Sequence, residues 1–127
     1  MKKMFFLAIV CLFNLAVQAQ TADSTIVFSS ITHDFGEIRQ GVPQTFSFEF
    51  TNNGTEPILI QSVQPSCGCT TSGWTKEPVE AGQKGYVQAT YNATTVGSFT
   101  KSLKVIYSGN PNPIVLYIKG TVREVEE

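Results

Sequence analysis

The residues with the most chemistry to offer are Cys67 and Cys69, on either side of Gly68 in the run Pro65-Ser66-Cys67-Gly68-Cys69-Thr70. Two sulfurs this close can form a disulfide, hold a soft metal ion or exchange electrons as a dithiol. In an extended strand the pair would share one face, about 6.6 Å apart at a rise of about 3.3 Å per residue. A disulfide favours Cα separations of about 5.5–6 Å within a range of about 4.4–6.8 Å. A flat strand therefore discourages the bond, and strain would make it easier to reduce. Gly68, without a Cβ, would let the backbone fold inward and relieve that strain.

A local disulfide clip, or a pair of quiet thiols, at a strand end beside Trp74 is the first expectation, because disulfides in exported proteins are mostly structural. Soft-metal binding comes second, with copper(I) as the ion that two thiolates satisfy. Zinc calls for four ligands, and the chain adds one further strong donor, its single histidine, His33. Dithiol exchange comes third. It needs an exposed, activated thiolate, and the closest basic residue in sequence is Lys76.

The other candidates are sparser. Any general base would have to be His33, flanked by Asp34 and Glu37. A turn-stabilising Asp34-Phe35-Gly36 corner beside a hydrogen-bonded histidine is the plainer expectation. No serine elbow, metalloprotease pair or phosphate loop is present, and the carboxylates are dispersed, so no catalytic residues are assigned and the chain is read as no enzyme. Trp74 and the tyrosines are expected to pack rather than bind. Asp23-Ser24-Thr25 resembles the short sequence on which some envelope bacteria place O-glycans, which makes Ser24 a modification candidate.

The elements that position these residues read as short strands. Phe46, Phe48 and Phe50 alternate with Ser47, Glu49 and Thr51. The same period appears in Val87-Ala89-Tyr91, in Leu103-Val105-Tyr107 and in Ile114-Leu116-Ile118 with Val122. Ile58-Leu59-Ile60 is apolar on both sides, as in a strand at the centre of a sandwich. Turn chemistry separates the runs at Asn52-Asn53-Gly54, at 81–85 and at 109–113. About seven strands at this spacing predict a single immunoglobulin-like antiparallel β-sandwich, all-β.

Residues 1–19 read as a secretory signal peptide: Lys2 and Lys3, an apolar stretch from Met4 to Val17, and the small-residue site Val17-Gln18-Ala19. The stretch is too short to span a bilayer, and no transmembrane segment is expected in the mature chain. Val10 stands where a lipoprotein site wants a small residue, so no lipid anchor is expected at Cys11. A polar segment follows at 20–26, then the sandwich at 27–122 and an acidic tail at 123–127. Cleavage moves the formal net charge from −1 to −3 and leaves scattered lysines, which argues against nucleic acid as a partner.

Several motifs follow one another in order: His33-Asp34-Phe35-Gly36-Glu37-Ile38, the phenylalanine strand with Asn52-Asn53-Gly54, Ser66-Cys67-Gly68-Cys69-Thr70, Ala81-Gly82, Tyr91, residues 97–101 and Ile118-Lys119-Gly120. Together they resemble the secreted bacterial family called domain of unknown function 1573, over roughly residues 27–122. Ala81 departs from it, standing where the family often has proline. The resemblance implies an immunoglobulin fold similar to Hydin-like and major-sperm-protein-like domains, which are mostly binding modules. The expected function is an exported, non-catalytic binding or structural module of the bacterial cell envelope, periplasmic or extracellular. Its expected partner is another envelope protein, engaged through a sheet edge. The alternatives are a copper-binding protein using the Cys-Gly-Cys pair and a thiol–disulfide redox protein.

Overall fold

The computed structural model describes residues 25–109 and 112–125. The signal peptide, Cys11 and Ser24 lie outside the described residues. Among the described residues there are eight strands: β1 (Ile26–Phe28), β2 (Thr32–Arg39), β3 (Gln44–Asn52), β4 (Ile60–Pro65), β5 (Thr70–Trp74), β6 (Lys84–Tyr91), β7 (Gly97–Tyr107) and β8 (Ile114–Arg123). They form two four-stranded sheets, the first in the order β1-β3-β6-β5 and the second in the order β2-β8-β7-β4. The sandwich is all-β, as the alternating runs predict.

The alternation is the reason for the fold. Phe48, Phe50, Val87, Ala89 and Tyr91 turn inward from the first sheet, and Leu103, Val105, Leu116, Ile118 and Val122 turn inward from the second; all are buried. Tyr91 and Phe99 stack across the core with ring centroids 3.9 Å apart. Ile58 and Val79 close a bridge beside it through two backbone hydrogen bonds.

Three features differ from the sequence expectation. Every strand pairing is antiparallel except β2 with β8, which is parallel. This follows from the N-terminal segment changing sheets: β1 runs beside β3, the chain crosses at 29–31, and β2 continues in the same sense beside β8. Next, Asp34-Phe35-Gly36 is not a corner between strands but a bulge inside β2, where the register slips between Asp34 and Glu37. Asp34 Oδ1 accepts the Gly36 N–H at 2.8 Å and Gly36 takes a φ of 69°, the local bond and positive φ that a bulge accommodates. Gly120 of β8 lies against this bulge, and a Cβ there would sit 2.9 Å from the Gly36 carbonyl oxygen. Two motifs far apart in sequence thus meet as one close backbone contact. Lastly, Leu59 is exposed and β4 lies at a sheet rim, so Ile58-Leu59-Ile60 is no central strand.

Candidate functional site

The cysteine pair occupies the crossing from β4 in the second sheet to β5 in the first. β4 ends at Pro65, which has no N–H to extend the ladder. Ser66 makes the last contacts with β7: its N–H donates to the Ser102 carbonyl (2.9 Å), and its Oγ accepts the Ser102 N–H (3.1 Å). Over the next three residues the chain turns through Cys67, Gly68 and Cys69 and joins β6 at Thr70. The two sulfurs are bonded, with the Cα atoms 5.3 Å apart. Both lie close to the hydroxyl of buried Thr70, at 3.8 and 3.9 Å. On the far side, the Cys69 carbonyl accepts the Asn92 N–H at 2.9 Å.

The crossing is therefore held to β7 at one end and to the β6–β7 connection at the other. The flat-strand geometry that counted against a disulfide does not apply, because residues 66–69 are turns rather than strand. Nor does Gly68 act through an unusual backbone: its φ is not positive, and a Cβ there would meet nothing within 4 Å. Trp74 is at the other end of β5, paired with Val87, four positions from Thr70. It packs half-buried against the core with the Lys76 ammonium 3.0 Å above its ring, a cation–π contact.

A disulfide that closes so short a loop removes little entropy from the unfolded chain. Replacing both cysteines by serine is expected to lower stability in urea denaturation by about 1–2 kcal/mol. A loss above about 4 kcal/mol, the scale of a bond closing a long loop, would contradict this local role.

His33 does not join the cysteines. It lies on β2 opposite Ile118, while the crossing borders β7 beyond β8, a separation on the order of three strand spacings of about 4.8 Å. Its ring faces inward and stacks on Phe46, with centroids 3.7 Å apart and planes 5° apart, and meets Phe35 edge-on at 4.7 Å. The expected hydrogen-bonded histidine is thus an aromatic one, because its place on the inward face of β2 directs it between two phenylalanines. Asp34 and Glu37 are used locally, by the bulge and by an ion pair with Arg123. Among the described residues, no three His, Cys, Asp or Glu side chains gather as a metal site.

Sequence reasoning missed the condition of the rims. β2 carries a bulge and the charges Asp34, Glu37 and Arg39. β1 has three residues, and β4 has a register break and ends in proline. These are devices that discourage strand addition. β5 has none of them: Thr70-Thr71-Ser72-Gly73-Trp74 holds no charge and no proline. The Thr75 N–H donates to the Tyr86 carbonyl at 3.1 Å, so by alternation Ser72 and Trp74 turn their backbone groups away from β6. The Ser72 hydroxyl donates to the Val63 carbonyl (3.1 Å) and ties this rim to β4. The missed signal is the lack of charge in that run.

The model of a family described as "Protein of unknown function (DUF1573)" matches residues 26–122. No curated protein matches the sequence. The fold is similar to the ASH/PapD-like domain 7 of human CEP192, with a TM-score of 0.65 at 14% identity over 81% of this chain and 88% of that one. It is also similar to a protein of unknown function from Porphyromonas gingivalis, with a TM-score of 0.66 at 16% identity over 76% of this chain and 46% of that one. A third similar chain is the secreted serine protease VesC from Vibrio cholerae, with a TM-score of 0.62 at 17% identity; 83% of this chain corresponds to 24% of that one. At these identities the likeness shows the immunoglobulin-like, PapD-like fold. Among the described residues no helix is long and apolar enough to cross a membrane.

Proposed function

This chain belongs to the family of proteins of unknown function DUF1573, and we propose that it is an exported, non-catalytic binding module of the cell envelope that accepts a partner's strand along the rim of β5. The observation that carries this reading is the rim itself, five residues without charge or proline whose Ser72 and Trp74 backbone groups face outward. A strand laid there would extend the first sheet through backbone hydrogen bonds, with side-chain contacts setting the choice of partner. The disulfide supports the reading by holding the chain immediately before the rim. His33, the chain's single histidine, stacks on Phe46 away from the cysteine pair. The apolar stretch and small-residue site of residues 1–19 support export, and the fold is compatible with an extracellular setting.

The test uses a photoreactive side chain at Thr71, on β5, and a second at exposed Thr100 on the opposite sheet, in the natural host. The Thr71 probe is expected to give an adduct of defined mass that Thr100 does not give. It should disappear when Ser72→Pro removes an outward N–H without touching the β5–β6 ladder. An adduct that persists in a folded Ser72→Pro protein, or that forms equally from Thr100, would contradict the reading.

A further inference from the structure

The Cys67–Cys69 crossing has surroundings that a purely structural disulfide does not call for. Thr70 is 3% exposed, and the hydrogen-bond contacts of its hydroxyl are the two sulfurs, at 3.8 and 3.9 Å. A disulfide sulfur has no proton, so Thr70 is the donor, and it donates to a weak acceptor. A thiolate in the same place accepts strongly, because it carries a full charge. The buried hydroxyl is therefore better satisfied when the pair is reduced.

A cation adds to this. Pro65 pairs with Leu103 and Ser66 bonds Ser102, so one further step along each chain brings Cys67 alongside Lys101. Lys101 lies far from the cysteines in sequence. It occupies the inward face of β7, opposite buried Ile118 and between buried Phe99 and Leu103. It is half-buried, and among the described residues its ammonium has no ion-pair partner. The strands around the crossing, β4, β5, β6 and β7, carry three lysines and no carboxylate, and Lys84 is taken by Glu49. A positive charge without a competing carboxylate favours a thiolate over a thiol. Approach is open: Gly68 is exposed, and a Cβ there would meet nothing within 4 Å.

We propose that Cys67–Cys69 is a redox-active pair that takes two electrons from a dithiol, with Thr70 and Lys101 stabilising the thiolates it releases. One thiolate of the donor attacks Cys67 Sγ, since Cys69 packs against the core. A bond forms to Cys67 as the Cys67–Cys69 bond breaks, and the electron pair leaves on Cys69 beside the Thr70 hydroxyl. The freed Cys69, held next to the mixed disulfide, re-closes on a monothiol and expels it. A second thiolate on the same donor competes by proximity, attacking the donor's own sulfur and releasing Cys67 beside Lys101. The donor ends as a disulfide, and the two protons it sheds balance the two that the cysteines take up. The Ser66–Ser102 and Asn92–Cys69 bonds hold the crossing in place while the sulfurs part. The inference is independent of strand addition at the β5 rim, and one exchange per chain needs no turnover.

The test incubates the full mature chain, folded, in excess reduced glutathione, followed by acid quenching, alkylation and mass measurement. Two alkylated cysteines are expected, where a structural disulfide would resist the glutathione pool. Dithiothreitol should reduce the pair at least about tenfold faster than glutathione at equal thiol concentration. Thioredoxin distinguishes the sources: reduction by it assigns a protein dithiol, and reduction by dithiothreitol alone assigns a small one. Thr70→Val should lower the equilibrium constant for reduction about tenfold, a shift of about 30 mV, with Thr70→Ser near the parent. Lys101→Met should lower it about threefold, which keeps the test open if Thr70→Val fails to fold. A merely structural hydroxyl would move thermal stability and leave this constant alone. A pair that stays oxidised in glutathione, or folded Thr70→Val and Lys101→Met chains reduced like the parent, would each overturn the proposal.

Discussion

Phe48→Ala is expected to lower the stability of the domain by about 3–5 kcal/mol, the cost of truncating a fully buried phenylalanine. Phe48 is 1% exposed at the centre of β3, opposite Val87 and edge-on to Phe46, with ring centroids 4.9 Å apart. The loss has two parts: the ring's transfer back to water, and a cavity that the flanking strands cannot fill. β3 is paired with β6 along its length and with β1 at one end, so its backbone has little room to move inward. Domains of this size have total stabilities of about 5–15 kcal/mol, so the variant should retain a marginal fold at best. Urea denaturation followed by Trp74 fluorescence measures it. A loss below about 1.5 kcal/mol, typical of a conservative hydrophobic swap, would mean the phenylalanine face is not the core.

Asn52→Ala is expected to cost on the order of 3 kcal/mol, because it removes three hydrogen bonds made by a fully buried side chain, with the Val79 carbonyl keeping the Ile58 N–H. Asn52 ends β3 with 0% exposure. Its Nδ2 donates to the Glu56 carbonyl (2.7 Å) and the Val79 carbonyl (2.9 Å), and its Oδ1 accepts the Gly54 N–H (2.9 Å). One side chain thus shapes the turn after β3 and anchors the segment that bridges to Val79. Asn52→Asp should be at least as damaging, since a carboxylate keeps the acceptor but faces two carbonyl oxygens without a proton to give. Amide exchange should accelerate across residues 54–60 in both variants while the β7–β8 ladder keeps its protection. If Asn52→Asp were as stable as the parent, the two donated bonds would have no energetic role.

The parts of the fold legible in the sequence are those encoded by local alternation. Each inward run, from Phe46-Phe48-Phe50 to Ile118 and Val122, keeps its phase in the structure, because shifting a strand by one residue would expose its whole apolar set. Asn52-Asn53-Gly54 was legible as a turn, though not as a buried anchor, since a short polar residue in a turn carries no mark of burial. The parallel pairing of β2 with β8 was hidden because it depends on where a segment near the N-terminus crosses between sheets. The Asp34-Phe35-Gly36 run signalled a local bond and a positive φ, which a bulge and a corner share. His33 was misread because a lone histidine is a polar letter in a sequence and becomes an aromatic plate once Phe35 and Phe46 flank it. The cysteine spacing was legible, but its relation to an extended strand was not, since the chain leaves the β4–β7 pairing after Ser66 and turns through both cysteines.

Strand addition at β5 would engage the outward backbone groups of that rim. It is tested most directly by amide hydrogen exchange on the chain alone and in complex with the partner identified by crosslinking from Thr71. The Ser72 and Trp74 amides, which face away from β6, are predicted to exchange quickly in the free chain and to become protected in the complex. Protection elsewhere with Ser72 and Trp74 unchanged would contradict strand addition at this rim.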